Sequence, residues 1–328
     1  MEILRSYDAV PIGLKGSALA IGNFDGVHRG HQAVLQAAKD AARAKGTLAS
    51  VMVFEPHPRQ FFAPDKPFFR LTSLERKLAL FSAFGLDLSV VLTFDKELAS
   101  RTPEEFVSTI LVDGLGVSRV VLGYDFCFGK GRQGTPEVMQ ALGKAHNFAV
   151  TVVSPAADKG DVFSSSKIRD FLRHGDVRSA AEALGYRWAI SGKVESGAKR
   201  GTGLGFPTAN IRLSANQQLM HGIYAVRVHV GDDVHGGAAY FGTRPTFEAG
   251  EVVLESFLLD FEGDLYEREI SVEFIDFLRG DQKFHSIEAL KAQVAADCAR
   301  AARVLDALDA DDPLALFPLA RAPALAIS

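Results

Sequence analysis

The chain has 328 residues, 47% of them hydrophobic, which is enough to bury two cores rather than one. A formal net charge of −4 excludes broad affinity for nucleic acid or an acidic membrane surface, because phosphate-backbone binding needs a basic face. The two cysteines, Cys127 and Cys298, lie far apart without metal-type spacing, which excludes a disulfide framework and a zinc site.

The opening MEILRSYDAV has neither the basic start nor the apolar core of a secretory signal. No run of about 18 apolar residues follows it, so a cytoplasmic protein with no membrane partner is expected. The first half then alternates apolar runs with amphipathic stretches. ALAIG (18–22), TLASVMVF (47–54), LSVVLTF (88–94), RVVLG (119–123) and FAVTVV (148–153) read as strands. Between the first two, HQAVLQAAKDAARAKG reads as a helix that stops on Gly46, a residue suited to a left-handed C-cap. The alternation predicts an α/β domain with a parallel, Rossmann-like sheet and helices on both faces. Ligands of such sheets bind beyond the carboxyl ends of the strands, so the loops there carry the chemistry.

After VRSAAEALG, a short helix ending at Gly185, the pattern changes. WAISGKV, IYAVRVHV, GGAAYFG, VVLESFLLD and EISVEFIDFL read as strands joined by turn-rich loops, which predicts an antiparallel β-barrel. HSIEALKAQVAADCARAARVLDALD sets Ile287, Leu290, Val294, Ala301, Leu305 and Leu308 on one helical face, as a helix closing the barrel would. The predicted organisation is residues 1–185 as the α/β domain, 186–310 as the barrel domain, and 311–328, rich in Pro and Ala, as a loosely held tail.

Strand ALAIG runs into GNFDGVHRGH, where Gly22 and Gly26 permit tight turns and His28 and His31 stand at the entrance of the next helix. Two imidazoles and a positive helix end can stabilise charge growing on phosphate oxygens, whereas one histidine there would be merely a polar cap. The H-x-G-H frame resembles the HxGH nucleotidyltransferase superfamily. FEPHP (54–58), GYDFCFGKGRQG (123–134) and SSSKIR (164–169), with Ser166 where threonine is usual, narrow the resemblance to the FAD synthetase branch. The resemblance implies that Gly22, Asn23, Phe24, Asp25, Gly26, Gly30, Ser164 and Ser165 border the ATP phosphates. It implies catalytic roles for His28, His31 and Arg169, the last neutralising the leaving pyrophosphate. Phe54, Pro56, Pro58, Asp125, Phe126 and Phe128 would border the flavin, although Phe128 reads equally well as core. Asp25 could instead cap the Gly-rich turn.

GAKRGTGLGFPTAN (197–210) carries four glycines, which free the backbone to wrap closely round a ligand, and Lys199 inside it suits a small phosphate. Pro207 fixes the chain before Thr208 and Asn210, whose oxygens could converge on Mg²⁺, though Asn210 alone could cap a turn. The segment resembles the GxPTAN element of the riboflavin kinase family. GIYAV (222–226), FGTRPTF (241–247), LESFLLDFEGDLY (254–266) and LRGDQKF (278–284) follow in the family's order. That resemblance implies phosphate contacts at Lys199, Gly201 and Gly205, metal contacts at Thr208 and Asn210, and a flavin contact at Arg279. Glu255 would be the general base toward the ribityl 5′-hydroxyl. Alternation puts Val253, Glu255, Phe257 and Leu259 on one face, expected to look into the barrel, where a carboxylate is costly unless it has a function. The alternative is a barrel-mouth position at which Glu255 simply reaches water. Thr202, Tyr240, Phe257 and Glu267 depart from the residues frequent in the family.

The two resemblances together imply a bifunctional riboflavin kinase/FAD synthetase. The barrel would phosphorylate riboflavin to FMN and release ADP. The α/β domain would adenylylate FMN to FAD and release pyrophosphate, with Mg²⁺ accompanying ATP in both steps. An FMN adenylyltransferase whose barrel only binds flavin is the alternative. Nucleic acid is not expected as a partner, and weak self-association is left open by the patterning.

Overall fold

The computed structural model describes residues 1–158, 161–195, 208–213, 216–243, 252–320 and 322. The expectations placed on Lys199, Gly201, Thr202 and Gly205 lie outside the described residues. The chain forms two compact units, Met1–Ser165 and Ser166–Ser328, so the division falls ahead of Gly185.

In the first unit, β1 (Glu2–Leu4), β2 (Ala18–Ile21), β3 (Ala49–Glu55), β4 (Leu88–Thr93), β5 (Arg119–Gly123) and β6 (Ala149–Val153) make one parallel sheet in the order β1-β4-β3-β2-β5-β6. The chain leaves β2 toward β3 and β4 on one side and later builds β5 and β6 on the other. The carboxyl end of β2, beside β5, is therefore the topological switch point where open α/β sheets bind ligands. The parallel sheet and its strands agree with the alternation in the sequence; three-residue β1 was not anticipated.

Helix α1 (Arg29–Lys45) follows β2. Val34, Leu35, Ala38 and Ala42 recur at helical spacing and are buried, and Gly46 ends the helix in the left-handed conformation (φ 63). Then come α2 (Pro58–Phe62), α3 (Leu74–Ala83), α4 (Lys96–Ser100) and α5 (Pro103–Glu105), which runs on as a wider helical turn over Phe106–Gly114. Phe106, Val107, Ile110 and Leu111 of that turn pack on Leu19, Ile21, Val90 and Val120 of the sheet. α6 (Pro136–Ala145) and a two-stranded hairpin, β7 (Ala157–Asp158) with β8 (Asp161–Val162), complete the unit.

After α7 (Ser165–Arg173) and α8 (Val177–Leu184), whose end is Gly185 at φ 75, the second unit is a closed barrel. Its strands are β9 (Ala189–Glu195), β10 (Thr208–Arg212), β11 (Gly222–Val230), β12 (Asp233–Thr243), β13 (Val252–Leu258) and β14 (Glu269–Arg279), in the order β10-β13-β12-β11-β14-β9 and antiparallel throughout. α9 (Ile287–Ala310) lies against it.

Three expectations need correction here. TAN (208–210), read as part of a ligand loop, opens strand β10, because Ala209 and Ile211 alternate into the barrel. Only part of the predicted α9 face is covered: Val294, Cys298, Ala301 and Leu305 pack on Ala225, Ala238 and Phe257, whereas Ile287 is 67% exposed and Leu290 is open. The periodicity marked a face, but the barrel meets it only from Val294 onward. Residues 311–320 are not a loose tail, since Leu314 and Leu319 are buried and Asp312 pairs with Arg187 at 2.7 Å.

Candidate functional site

The loop leaving β2 takes left-handed backbone conformations at Phe24 (φ 48), Gly26 (φ 84) and Val27 (φ 40). Non-glycine residues hold such conformations at a cost of order 1 kcal/mol or more, so neighbouring groups must fix them. Three segments do. Asp25 Oδ1 accepts the N–H groups of Leu71 and Thr72 at 3.0 and 3.2 Å, and the Gly26 N–H donates to Thr72 Oγ1 at 3.0 Å. From α3, Lys77 Nζ donates to the Asn23 carbonyl at 2.7 Å. From the start of α7, Ser165 Oγ donates to the Asp25 carbonyl at 2.8 Å. Asp25 thus stabilises the turn by accepting backbone amides.

His28 is the N-cap of α1. Its Nδ1 accepts the His31 backbone N–H at 3.3 Å, which places the proton of the neutral ring on Nε2. The His28 and His31 rings stack with centroids 3.6 Å apart, and Phe24 meets His31 edge-on at 5.3 Å. A Cβ on Gly30 would come within 3.1 Å of the His28 ring, so the glycine is what admits that ring. His31 Nδ1 is buried and meets no hydrogen-bond partner among the described residues. Burial first, then His28 and Lys77, push the His31 pKa well below its usual value, so the ring is neutral at neutral pH.

Sequence reasoning missed the charged layer beneath this loop. Glu55, at the end of β3, takes Arg70 in a two-pronged contact of 2.8 and 2.5 Å. Burial alone would raise the Glu55 carboxyl, but Arg70 outweighs it and holds the group below its usual value. Lys77 is only 1% exposed, and burial pushes its ammonium down to about 8. A signal for it existed: Lys77 stands three, four and seven residues before buried Leu80, Phe81 and Phe84, on the stripe of α3 that an amphipathic helix buries.

The other expected residues of this unit are scattered over neighbouring loops. Gly22 is half-exposed and Asn23 exposed at the strand exit, and Ser164 is half-buried just ahead of α7. Phe54 is buried at the end of β3 against Phe94, the Glu55–Pro56 bond is cis, and Pro58 opens α2. Asp125 is exposed and Phe126 half-buried in the loop after β5. Phe128 is 6% exposed and packs between Phe106 and Phe126. In the second unit, Arg169 is buried on α7, one turn after Ser165.

On the barrel, β13 sets Glu255 opposite Asn210 of β10 and Tyr240 of β12, and sets Phe257 opposite Thr208. Residues two apart share a face of a strand, so Thr208, Asn210, Tyr240 and Glu255 lie on one surface. That surface is the outer one: Phe257, on the Glu255 face, packs under α9 with Cys298 and Ala301, while Leu254, Ser256 and Leu258 are fully buried on the other face. The expectation that Glu255 looks into the barrel is therefore corrected. A lumen closed by six strands is filled with side chains, and a carboxylate that is to meet a substrate has room only outside. Thr208, Asn210 and Glu255 are half-buried, and their hydroxyl, amide and carboxylate oxygens are hard donors of the kind Mg²⁺ prefers. Arg279, expected at the flavin, binds Asp297 of α9 through Nε and Nη2 at 2.6 to 3.1 Å. Among the departures, Phe257 fills the α9 interface, Tyr240 donates to the Thr243 carbonyl at 3.2 Å, and Glu267 pairs with Lys193.

Two family profiles match the chain, FAD synthetase over residues 12–167 and riboflavin kinase over 184–305. A bifunctional riboflavin kinase/FMN adenylyltransferase from Pseudomonas fluorescens is 40% identical over 308 residues, 94% of this chain and 98% of that protein. The chain belongs to the bifunctional riboflavin kinase/FMN adenylyltransferase family. Members named the same way from Escherichia coli K12 and Bacillus subtilis 168 are 40% and 37% identical, over 86% and 88% of this chain and 91% and 92% of theirs. A crystal structure named as a macrolide-efflux protein from Streptococcus pneumoniae matches with a TM-score of 0.79 at 29% identity, covering 90% of this chain and 96% of that one. Among the described residues no helix is long and apolar enough to cross a membrane. As a family member the chain is a transferase with riboflavin kinase and FMN adenylyltransferase activities, and the riboflavin kinase match over the barrel sets aside the reading of a barrel that only binds flavin.

Proposed function

We propose that the two activities act in sequence in the cytoplasm, with the functional boundary near Gly185, and that the residues gathered above divide the work. In the barrel, Glu255 takes the proton of the ribityl 5′-hydroxyl as that oxygen attacks the γ-phosphorus of ATP. The bond to the β-phosphate oxygen breaks, and FMN and ADP leave. Thr208 and Asn210, facing the same side as Glu255, would hold Mg²⁺ with the phosphates of ATP; the ion would screen their charge. Lys199, Gly201 and Gly205 would border those phosphates, and Arg279 supports the flavin side through its anchorage on α9.

In the α/β unit, the FMN phosphate attacks the α-phosphorus of ATP, the α–β bridge breaks, and pyrophosphate leaves with FAD formed. An ionised phosphate needs no base, so the protein's part is alignment and charge stabilisation. The Nε2–H of His28 and the ring of His31 face the charge growing on the α-phosphate, Arg169 neutralises the leaving pyrophosphate, and Ser164 and Ser165 set the α7 side of the site. Gly22 to Gly26 and Gly30 give the phosphates a close backbone approach. Phe54, Pro56, Pro58, Asp125 and Phe126 border the flavin, with Phe128 supporting Phe126 from the core.

The observation that carries this reading is the buried His31 Nδ1, without a hydrogen-bond partner among the described residues, beside a stacked histidine at the switch point of the sheet. The test follows riboflavin, FMN and FAD by chromatography in a mixture of the purified chain, riboflavin, ATP and Mg²⁺. FMN appearing first and FAD second is expected. FAD formed only when FMN is supplied would overturn the assignment of the barrel residues.

A further inference from the structure

Among the described residues Lys77 is the most deeply buried cation of the first unit, and nothing in the mechanism above uses it. At 1% exposure its ammonium makes one hydrogen bond among the described residues, to the Asn23 carbonyl at 2.7 Å. An ammonium has three donors, and a buried one is normally neutralised by a carboxylate. The two nearby carboxylates are engaged elsewhere. Glu55 is held by Arg70, and Asp25 by the amides of Leu71 and Thr72. The cation is thus buried under the loop that leaves β2, close enough to His31 to act on it electrostatically, without a dedicated counter-ion.

A buried charge with no carboxylate hydrogen-bonded to it among the described residues is an expensive structural element, and a Met or Leu on the same stripe of α3 would pack without that expense. Its retention makes sense where the counter-ion arrives with the substrate. We propose that Lys77 is a positioning residue for adenylyl transfer: it fixes the Asn23 carbonyl, and with it the Gly22–His28 loop, and supplies from below a positive field that receives the ATP phosphates. This rests on the reading of the loop as the adenylylation site. The groups that face the ammonium are Arg70 from the segment before α3, Asp25 from the loop, Glu55 from the end of β3 and His31 from α1. Burial and Arg70 together bring its proton affinity to about 8, with Asp25 and Glu55 opposing, so the charge is present at neutral pH and lost above it.

The test uses the full chain and its two activities. Wild-type kcat/KM for ATP, read as FAD formed from FMN, is expected to fall about tenfold between pH 7 and pH 9, since one pKa unit corresponds to a factor of ten. Lys77→Met is expected to lower FAD formation at pH 7 by at least tenfold, to remove that alkaline limb, and to leave riboflavin phosphorylation within twofold of wild type. Lys77→Arg, charged throughout the range, is expected to recover part of the rate without the limb. FAD formation within threefold of wild type in Lys77→Met, or an alkaline limb that persists in it, overturns the proposal. Should Lys77→Met lose both activities, Lys77→Arg is judged alone: a flat profile with partial rate supports the proposal and an unchanged limb overturns it. His31→Ala separates the two levels of the argument, because FAD formation surviving in that variant overturns the site itself rather than the role of Lys77.

Discussion

The His28 and His31 rings lie face to face, 3.6 Å apart, and the backbone N–H of the second is bonded to the Nδ1 of the first. The pair is built on a single helical turn, so each ring restricts the other, and His31 Nδ1 is buried without a hydrogen-bond partner among the described residues. Replacing His31 with Ala is expected to lower FMN-to-FAD conversion by about 100-fold or more, the scale of losing one preorganised donor to a growing anion. Riboflavin phosphorylation by the same chain should be unchanged, and a chromatographic time course from each flavin reads both.

Gly30 offers a finer test of the same geometry. Alanine in place of glycine inside a helix ordinarily stabilises by about 1 kcal/mol. Here the new Cβ would stand 3.1 Å from the His28 ring and 3.4 Å from Phe163. Gly30→Ala is expected to keep or raise the melting temperature while cutting FAD formation about tenfold. A variant that is both stabler and fully active would show that the His28 ring has room to shift without consequence.

Glu255→Gln keeps the size and face of the side chain and removes the base. FMN formation is expected to fall by about 10² to 10⁴, with FMN-to-FAD conversion unaffected. Loss of both steps in a folded variant would break the division of labour between the units.

Lys77 also makes a prediction for stability. Its ammonium loses its proton near 8 in the folded chain, against an ordinary 10.5 in an unconstrained chain. Between those values the unfolded chain holds the proton more tightly, so stability gains as pH rises through that window, and at neutral pH the buried charge opposes folding. Lys77→Met is expected to stabilise the first unit by up to about 3 kcal/mol at pH 7, with the advantage shrinking toward pH 10. Urea unfolding at the two pH values measures the difference.

On the barrel, Asp297 is nearly buried and takes Nε and Nη2 of Arg279. Asp297→Ala leaves a guanidinium without its partner and is expected to cost about 3 kcal/mol of barrel stability, measured as a lower urea midpoint. Asp297→Asn should lose less, because its side-chain oxygen still accepts.

The parallel sheet, the barrel and the two histidines were legible because each leaves a local trace: apolar runs of strand length, helices ending on Gly46 and Gly185, an H-x-G-H frame after a strand. What escaped depends on neighbours distant in the chain. TANIR looks like a loop until Glu255 and Glu195 are paired across from Asn210. The inward or outward sense of the Glu255 face follows from α9 covering Phe257, which alternation alone does not contain. Ile287 and Leu290 carry the right spacing but project beyond the barrel's reach, and Leu314 and Leu319 were hidden by a Pro- and Ala-rich composition. Lys77 leaves no local trace of its role, because the loop's support comes from a helix and from the stretch Arg70–Thr72, both distant from it in the chain.

The pairing of Asn210 with Glu255 has a further meaning for how the barrel tolerates change. Strand side chains invert with every residue, so a single insertion or deletion within β10 would turn Thr208 and Asn210 inward and present Ala209 and Ile211 in their place, and one within β13 would turn Glu255 inward. The surface that holds Glu255 therefore behaves as a two-position device, complete in one alignment and absent in the next, and length changes between these strands must fall in their connections.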